Sequence, residues 1–392
     1  RARSLAAAGV PILSLSIGEP DLPPPDEVLE RAQARAPGNL QLSIDQRIQS
    51  ITYRELKKAV LSHGATSGSA IVVDVHSGEV LAMVNSPSFN PNNRGNAPAY
   101  LFRNRAITDT FEPGSTMKPL AVLSALEFGS ANLNTKVDTY PGYFRIGGSW
   151  VRDANNYNVL SLTGIIQKSS NVGVSKLVLD MPIEHVIGLY ANMGLGIDTG
   201  LGLNGESSGM LSHRRRWSDH ERATLSFGYG LSVTAAQLAR AYATMANGGV
   251  SRPLTILKNE QQHPGEQVLA PEHAAAMLEM MEANIMPGGT ATKAQVKGYR
   301  VGGKTGTARK AIAGGYGEDY VASFAGVGPV SNPRLACVVV INEPAGDFYH
   351  GGEIAAPVFA NIMGASMQLL NLTPDGSSQP RLSALTGGSN AG

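Results

Sequence analysis

One Ser-x-x-Lys pattern occurs in this chain, formed by Ser115 and Lys118. The pair follows the turn residues Pro113 and Gly114, so Ser115 is placed where a helix begins and both side chains share one helical face. A serine hydroxyl is a poor nucleophile until a base removes its proton, and a lysine amine does this when burial and a second cation keep it neutral. The same spacing also fits a solvated lysine after a capping serine, so both interpretations remain open for this pair alone.

A second pattern places a hydroxyl and an amide two positions apart, at Ser169 and Asn171. Such a Ser-x-Asn can direct both groups into a common pocket. The pattern is unspecific, because residues 88–90 and 130–132 also match it and are better explained as turns. On its own it therefore indicates no particular chemistry.

A third pattern is the run Lys304-Thr305-Gly306 in a β-rich segment, where flanking glycines let a ligand backbone approach closely. Residues 298–305 also satisfy the P-loop expression, but a P-loop must open a helix, and the residues after Thr305 read as a strand running into a loop. Residues 205–209, with Ser207 at the centre, match the nucleophile-elbow expression without the required buried strand before it. We therefore reject a nucleotide hydrolase and an α/β-hydrolase.

The bulk composition excludes several classes of protein. The 392 residues contain 32 Lys+Arg and 31 Asp+Glu, and the resulting net charge of +1 argues against a nucleic-acid partner. The single cysteine, Cys337, rules out an intrachain disulfide and a cysteine-based metal site, and the 8 histidines include no His-x-x-x-His pair. We expect neither a metal ion nor a cofactor. No stretch approaches the roughly 18 to 20 apolar residues that span a bilayer.

Hydrophobic periodicity and turn signals predict the elements that must position these residues. Ser43 or Asp45 can cap a helix that runs to about His63. A glycine-rich loop at 313–317 separates two later strands. The predicted strands are 70–74, 80–84, 299–309, 321–327 and 334–341, and the other predicted helices are 115–128, 233–246, 271–285 and 356–370.

The order of these elements predicts an α/β fold of the α+β type. Two early strands and three late strands give a five-stranded antiparallel sheet flanked by helices, with a helical region inserted between the second and third strands. We assign this domain to residues 39–372. Residues 1–38, with a short strand at 12–17 and a helix at 27–36, are a leader or the remnant of another module. Residues 373–392, rich in Ser, Gly and Pro, are expected to be a disordered tail.

Together the three short patterns occur in the order used by the penicillin-recognising serine acyltransferases. The chain resembles class B penicillin-binding proteins over about residues 39–372, and among these the division-specific peptidoglycan D,D-transpeptidases of the penicillin-binding protein 3 type. The resemblance implies the penicillin-binding transpeptidase or serine β-lactamase-like fold. Its surrounding sequence runs are Arg103-Asn104-Arg105, Phe111-Glu112-Pro113-Gly114, 227–234 and 356–359.

The resemblance implies a role for each candidate catalytic residue. Ser115 attacks the carbonyl of the penultimate D-alanine of a peptidoglycan stem peptide, and Lys118, kept neutral by burial and by the charge of Lys304, takes its proton. Ser169, which relays between Lys118 and Lys304, protonates the departing D-alanine, and Asn171 orients the stem-peptide amide. The backbone N–H groups of Ser115 and Thr307 are the implied oxyanion hole.

The implied substrate-binding residues are Thr305, Gly306, Thr307, Tyr229 and Tyr349. Among these, the hydroxyls of Thr305 and Thr307 receive the substrate carboxylate together with Lys304, and the two tyrosines supply apolar walls. Relatives often place a second aromatic residue after Tyr349, where this chain has His350. The aromatic lining is therefore expected to differ from theirs.

The partners implied by the resemblance are peptidoglycan stem peptides, β-lactam antibiotics and membrane-bound division proteins that include a glycosyltransferase. The implied location is the periplasmic face of the bacterial inner membrane, held by an N-terminal transmembrane helix that we expect to have been truncated from this chain. Two alternatives remain open. A β-lactamase or D,D-carboxypeptidase would pass the acyl group to water, and a non-catalytic β-lactam sensor or division scaffold would be acylated without turning over peptide.

Overall fold

The computed structural model describes residues 41–376, apart from 91, 93, 94, 259–263, 313 and 347. The strand and helix predicted within residues 1–38 lie outside the described residues, as does the tail beyond residue 376. Residues 373–376 are described, and Asp375 accepts hydrogen bonds from the Arg300 backbone N–H and the Ser331 hydroxyl, each 2.7 Å long. The first residues assigned to the tail therefore contact the preceding domain.

The strands are β1 (Ser67–Asp74), β2 (Val80–Ser86), β3 (Lys136–Asp138), β4 (Tyr143–Ile146), β5 (Ser149–Arg152), β6 (Val159–Ser161), β7 (Val250–Ser251), β8 (Glu266–Gln267), β9 (Gly302–Ile312), β10 (Gly315–Gly328) and β11 (Leu335–Asn342). The helices are α1 (Gln46–Ser62), α2 (Arg105–Thr108), α3 (Lys118–Phe128), α4 (Leu162–Lys168), α5 (Asn171–Leu179), α6 (Ile183–Asn192), α7 (Asp219–Ser226), α8 (Ala235–Ala246), α9 (Pro271–Ile285) and α10 (Gly351–Leu369). Short 3-10 helices span Ala99–Phe102, Gly114–Met117 and Thr292–Ala294.

Five strands form the central antiparallel sheet in the order β2-β1-β11-β10-β9. Strand β1 pairs with β11 from the far end of the chain, so Ser67 lies opposite Asn342. This topology confirms the predicted sheet and the insertion between its second and third strands. The insertion also holds three two-stranded pairs that the periodicity did not predict, β3-β6, β4-β5 and β7-β8.

Alternation along β1 explains why the sheet carries a hydrophobic core on each face. Successive side chains of a strand point to opposite sides. Ile71 and Val73 therefore pack into the core shared with the inserted helices, while Ala70 and Val72 pack into the core shared with α1 and α10. Because both faces of β1 are covered, its residues 70–73 form a continuous apolar run.

The helix α1 begins as its sequence predicts. The carboxylate of Asp45 accepts hydrogen bonds from the backbone N–H groups of Arg47 and Ile48, which have no partner within the helix. Ile48 and Leu56 on its inner face are fully buried. Within the described ranges, no helix combines the length and apolar character needed to cross a bilayer.

Several predicted boundaries differ from the structure: β1 begins at Ser67 rather than at 70, and β9 begins at Gly302 rather than at 299. Strand β9 runs on to Ile312 and β10 begins at Gly315, so most of the predicted loop 313–317 belongs to a strand. The last helix begins at Gly351 rather than near 356, because its first backbone N–H donates to the Thr307 hydroxyl at 3.0 Å. The predicted helix 115–128 is a 3-10 turn followed by α3.

Candidate active site

Ser115 lies in the 3-10 turn Gly114–Met117, immediately before α3. The turn is tied down on both sides: the Gly114 N–H donates to the Gly228 carbonyl at 3.2 Å, and the Tyr242 hydroxyl donates to the Thr116 carbonyl at 2.9 Å. Tyr242 is fully buried. The serine is therefore presented on a rigid support at the start of a helix.

A series of hydrogen bonds connects three of the predicted catalytic side chains. The Lys118 Nζ lies 2.9 Å from the Ser169 Oγ, and that oxygen lies 3.2 Å from the Ser115 Oγ. The Lys118 amine also donates to the Ser169 backbone carbonyl at 2.5 Å. Ser169 thus lies between the candidate nucleophile Ser115 and the candidate base Lys118, a position that the spacing of Ser115 and Lys118 did not reveal.

Burial sets the charge state of the two lysines. Lys118 is 1% exposed and Lys304 is fully buried. Burial, and then the positive charge of Lys304, lowers the pKa of Lys118 well below its usual value, against a smaller opposing effect of Asp153. Burial also lowers the pKa of Lys304 to about 7. Since the two ammonium groups repel each other, we assign the neutral amine to Lys118 and the remaining charge to Lys304.

Ser169 has an unusual backbone conformation. Its φ of 55° lies in the left-handed region, which costs free energy for a residue with a side chain and persists only where neighbours enforce it. Ser170 caps α5 by accepting a hydrogen bond from the Gly173 N–H at 2.8 Å. The Asn171 amide donates to the Arg152 carbonyl at 2.9 Å. The turn between α4 and α5 is therefore fixed from both sides.

Asp153 is a residue of this site that the sequence motifs missed. Its two carboxylate oxygens accept hydrogen bonds from the Ser170 hydroxyl at 2.6 Å and from the Val172 N–H at 2.9 Å. These contacts hold the residues that flank Asn171 and follow Ser169. No local pattern pointed to Asp153, because its partners lie 17 and 19 positions further along the chain.

The strand β9 closes the other side of the site. A Cβ on Gly306 would lie 2.8 Å from the Pro113 carbonyl and 3.0 Å from the Thr116 side chain. Glycine thus allows β9 to pack directly against the turn that carries Ser115. A Cβ on Gly114 would lie 3.5 Å from the Thr307 carbonyl oxygen, so the backbones next to Ser115 and at Thr307 are neighbours.

The two threonines of β9 differ in their hydrogen bonds. The Thr305 hydroxyl lies 3.4 Å from the Lys304 Nζ and 3.1 Å from the Thr290 hydroxyl. The Thr307 hydroxyl accepts from the Gly351 N–H, which leaves its own hydrogen to donate. Lys304 and both hydroxyls are thus grouped on one strand as donors for an anionic ligand.

The two predicted wall tyrosines lie in separate aromatic groups that both pack on β10. The Tyr229 ring is 5.5 Å from that of Tyr316, centroid to centroid. The Tyr349 ring stacks on Tyr320 at 4.2 Å and is 4.3 Å from the imidazole of His350. His350 therefore occupies the ring position beside Tyr349.

The P-loop match and the nucleophile-elbow match lie in local structures that differ from those motifs. The P-loop match continues from Lys304 as strand β9 instead of a helix, and Ser207 lies in a loop. Cys337 is fully buried in β11, and burial raises the pKa of its thiol. Its burial and the raised pKa of its thiol argue against Cys337 as a nucleophile.

Known proteins are similar in sequence to most of this chain. A family model described as the penicillin binding protein transpeptidase domain matches residues 68–364. The chain is 51% identical over 350 residues to the peptidoglycan D,D-transpeptidase FtsI of Escherichia coli K12, covering 89% of this chain and 59% of that protein. It is 42% identical over 350 residues to the probable peptidoglycan D,D-transpeptidase PenA of Neisseria gonorrhoeae, covering 88% of this chain and 60% of that one.

Solved structures have the same fold. The apo structure of the TP domain of Burkholderia pseudomallei penicillin-binding protein 3 is 41% identical, with a TM-score of 0.80, covering 87% of this chain and 99% of that one. A crystal structure of a peptidoglycan glycosyltransferase from Burkholderia ambifaria is 42% identical, with a TM-score of 0.77, covering 85% and 99%. The chain spans about three-fifths of the length of the transpeptidases FtsI and PenA named above. The matches confirm the resemblance and the fold expected from the sequence.

Proposed function

Because this chain belongs to the penicillin-binding protein transpeptidase family, we propose that it is a serine D,D-transpeptidase that cross-links peptidoglycan stem peptides during septal wall synthesis. The observation that carries the proposal is the hydrogen-bonded series from Ser115 through Ser169 to Lys118, beside the cation Lys304. An activated serine next to a carboxylate-binding cation suits a substrate that ends in a free carboxylate. The D-alanyl-D-alanine end of a stem peptide is such a substrate.

Acylation begins at the Ser115 hydroxyl. Its Oγ bonds to the carbonyl carbon of the penultimate D-alanine while its proton passes to the Ser169 Oγ, and the Ser169 proton passes to the neutral Lys118 Nζ. The N–H groups of Ser115 and Thr307 stabilise the oxyanion, and the loss of one such donor typically costs about 10² to 10³ in rate. The carbon–nitrogen bond then breaks, and the proton returns through Ser169 to the departing D-alanine.

The substrate is oriented by groups around this centre. Lys304 and the hydroxyls of Thr305 and Thr307 bind the terminal carboxylate, and Asn171 binds a stem-peptide amide. Gly306 lets the substrate and the Ser115 turn approach β9 closely. Apolar walls for the bound peptide come from Tyr229 and Tyr349, which pack on the aromatic residues of β10.

Transfer completes the reaction. An amine from a neighbouring peptidoglycan strand attacks the acyl-Ser115 carbonyl, and its proton passes to Ser169 and Lys118. The ester bond between the acyl carbon and the Ser115 Oγ then breaks, and the proton returns through Ser169 to that oxygen, which restores the hydroxyl. A β-lactam mimics the D-alanyl-D-alanine end and opens on Ser115. Because its leaving nitrogen stays covalently attached to the acyl group, nothing departs and the acyl-enzyme persists. β-Lactam antibiotics are therefore covalent inhibitors of the proposed reaction.

The setting of this reaction extends the proposal beyond the chain. We place the enzyme at the periplasmic face of the inner membrane, where an N-terminal transmembrane helix would hold it beside membrane-bound division proteins, including a glycosyltransferase. The likeness to FtsI of Escherichia coli supports this placement. The reaction uses no metal ion or cofactor, since the proton transfers need only Ser115, Ser169 and Lys118.

The test is to incubate the chain with uncross-linked peptidoglycan strands and separate the muramidase-digested products, with Ser115→Ala as the control. Cross-linked peptide dimers formed only by the wild type support a transpeptidase. Release of D-alanine without dimers identifies a carboxypeptidase, and steady hydrolysis of penicillin identifies a β-lactamase. Acylation by penicillin without any of these products identifies a sensor or scaffold. Each of the last three outcomes overturns the proposal.

Replacing Asp153 with alanine is expected to slow acylation by penicillin about tenfold to a hundredfold, because small misplacements of catalytic groups have effects of this size. The change frees Ser170 and Val172, and with them the strained Ser169. Stopped-flow fluorescence with a labelled penicillin measures the rate, and thermal unfolding shows whether the variant is folded. Asp138→Ala, in exposed β3, is the matched control and retains the wild-type rate. A folded Asp153→Ala with an unchanged rate would show that Asp153 does not position Ser169.

The second-order rate of acylation is expected to follow a bell-shaped pH profile. The rate rises with pH as Lys118 loses its proton, at a pKa held well below the usual lysine value. It falls again as Lys304 loses the charge that binds the carboxylate, at a pKa of about 7. In Lys304→Arg the falling limb moves to higher pH, because a guanidinium has a pKa of about 12 or more and keeps its charge throughout the profile. An unmoved falling limb in this variant would exclude Lys304 as its source.

A further inference from the structure

The ribbon formed by β4 and β5 has two faces of opposite character. On the inner face, Phe144 and the buried Val151 pack against Val172 and Ala223 of the helical region. On the outer face, Tyr143 lies opposite Arg152 and Arg145 lies opposite Trp150. We call these four outward residues, Tyr143, Arg145, Trp150 and Arg152, the aromatic face.

The aromatic face exposes more apolar surface than an outer strand face usually does. Tyr143 is 48% exposed and Trp150 is 49% exposed, although a half-buried ribbon normally presents polar side chains to solvent. The two rings meet edge to face with centroids 5.4 Å apart, and the Arg152 guanidinium lies 5.4 Å from the indole centroid. The result is a rigid platform of aromatic rings with cations at its edge.

The ribbon is joined to the candidate catalytic centre at the end of β5. The carbonyl of Arg152 accepts the hydrogen bond from the Asn171 amide, and the next residue, Asp153, holds the turn after Ser169. The end of the aromatic face at Arg152 is therefore hydrogen-bonded to Asn171 and adjoins Asp153 in the chain.

We propose that the aromatic face binds the glycan strand to which the stem peptide is attached; this inference rests on the proposed function. Sugar rings present apolar C–H faces that stack on flat aromatic rings, and their hydroxyls accept hydrogen bonds from guanidinium groups. The carboxylates of the attached stem peptides pair with Arg145 and Arg152. Binding the strand here positions its peptide at Ser115.

The size of the surface favours a polymer strand over a protein partner. Stable protein interfaces involve roughly 20 to 30 residues on each side. The aromatic face offers four side chains on a two-stranded ribbon, far fewer than such an interface uses. A second copy of this chain or another protein is therefore the alternative to be separated by experiment.

The probe is a preparation of peptidoglycan glycan strands from which an amidase has removed the peptides. The chain has two tryptophans, so Trp217→Phe leaves Trp150 as the sole indole reporter, and its fluorescence is expected to change saturably with glycan. In a sedimentation assay, Trp150→Ala is expected to raise the Kd for glycan about tenfold, because it removes one stacked ring. Trp150→Phe keeps a ring and is expected to retain most of the affinity. Tyr100→Ala, which removes another exposed tyrosine, leaves the Kd unchanged.

Three results would overturn the inference. They are glycan binding no tighter than binding to dextran, an unchanged Kd in folded Trp150→Ala, or self-association of the wild type that Trp150→Ala abolishes. A penicillin adduct on Ser115, measured by intact mass on the same sample, separates this inference from the proposed function. An adduct without glycan binding overturns only the aromatic-face proposal, and glycan binding without an adduct overturns only the proposed reaction.

Discussion

Ser115→Ala is expected to remain unmodified after exposure to penicillin, whereas the wild-type chain gains the full mass of the opened β-lactam. The physical reason is that Ser115 is the hydroxyl that both faces Ser169 and begins a helix supported by Gly228 and Tyr242. Alanine removes the attacking oxygen and leaves that support in place. Intact-mass spectrometry measures the adduct directly.

The matched control is Ser207→Ala, which removes the serine of the nucleophile-elbow match in the loop 205–209. This variant is expected to acquire the adduct at the wild-type rate. A persistent adduct on Ser115→Ala would refute the assignment of the nucleophile. An adduct lost only in Ser207→Ala would move that assignment to Ser207.

Lys118→Met is expected to slow acylation by about 10² to 10⁴, the usual contribution of a general base. Methionine has a similar length and fills the buried space, but it cannot accept the proton that reaches it through Ser169. The Ser115 hydroxyl then has no base to receive its proton at neutral pH. Time-resolved mass spectrometry with penicillin measures the rate, and the adduct mass is expected to stay the same.

The control for this change is Lys58→Met, which removes an exposed lysine from α1. Its acylation rate is expected to equal that of the wild type. Thermal unfolding distinguishes a folded but slow Lys118→Met from an unfolded one. A folded Lys118→Met that acylates at the wild-type rate would show that another group removes the proton.

The sequence predicted the elements whose signals are local. Asp45 caps α1, and the runs at 70–74 and 80–84 form the hairpin of β1 and β2. It misplaced ends that depend on contacts with other elements. The first N–H of α10 donates to the Thr307 hydroxyl, and β9 and β10 extend by pairing with each other, with Gly315 opposite Ile312. A local pattern contains no information about either partner.

The site shows the same division. Its residue types and their chain order were readable, because three short motifs and their surroundings have a family-specific combination. The positions of these residues relative to one another could not be read from the motifs. The position of Ser169 between Ser115 and Lys118, and the role of Asp153 behind Ser170, depend on how α3, α5 and β5 pack together.

The sequence by itself determined that this chain has a Ser-x-x-Lys nucleophile pattern, one cysteine, a near-neutral charge and a sheet divided by a long insertion. These are properties of composition and local order. Only the tertiary structure decided that Lys118 and Lys304 are both buried, and burial is what lowers their pKa values. The reason is physical. Folding removes the two lysine amines from water, which disfavours their charged form, and the residues that surround them come from distant parts of the chain.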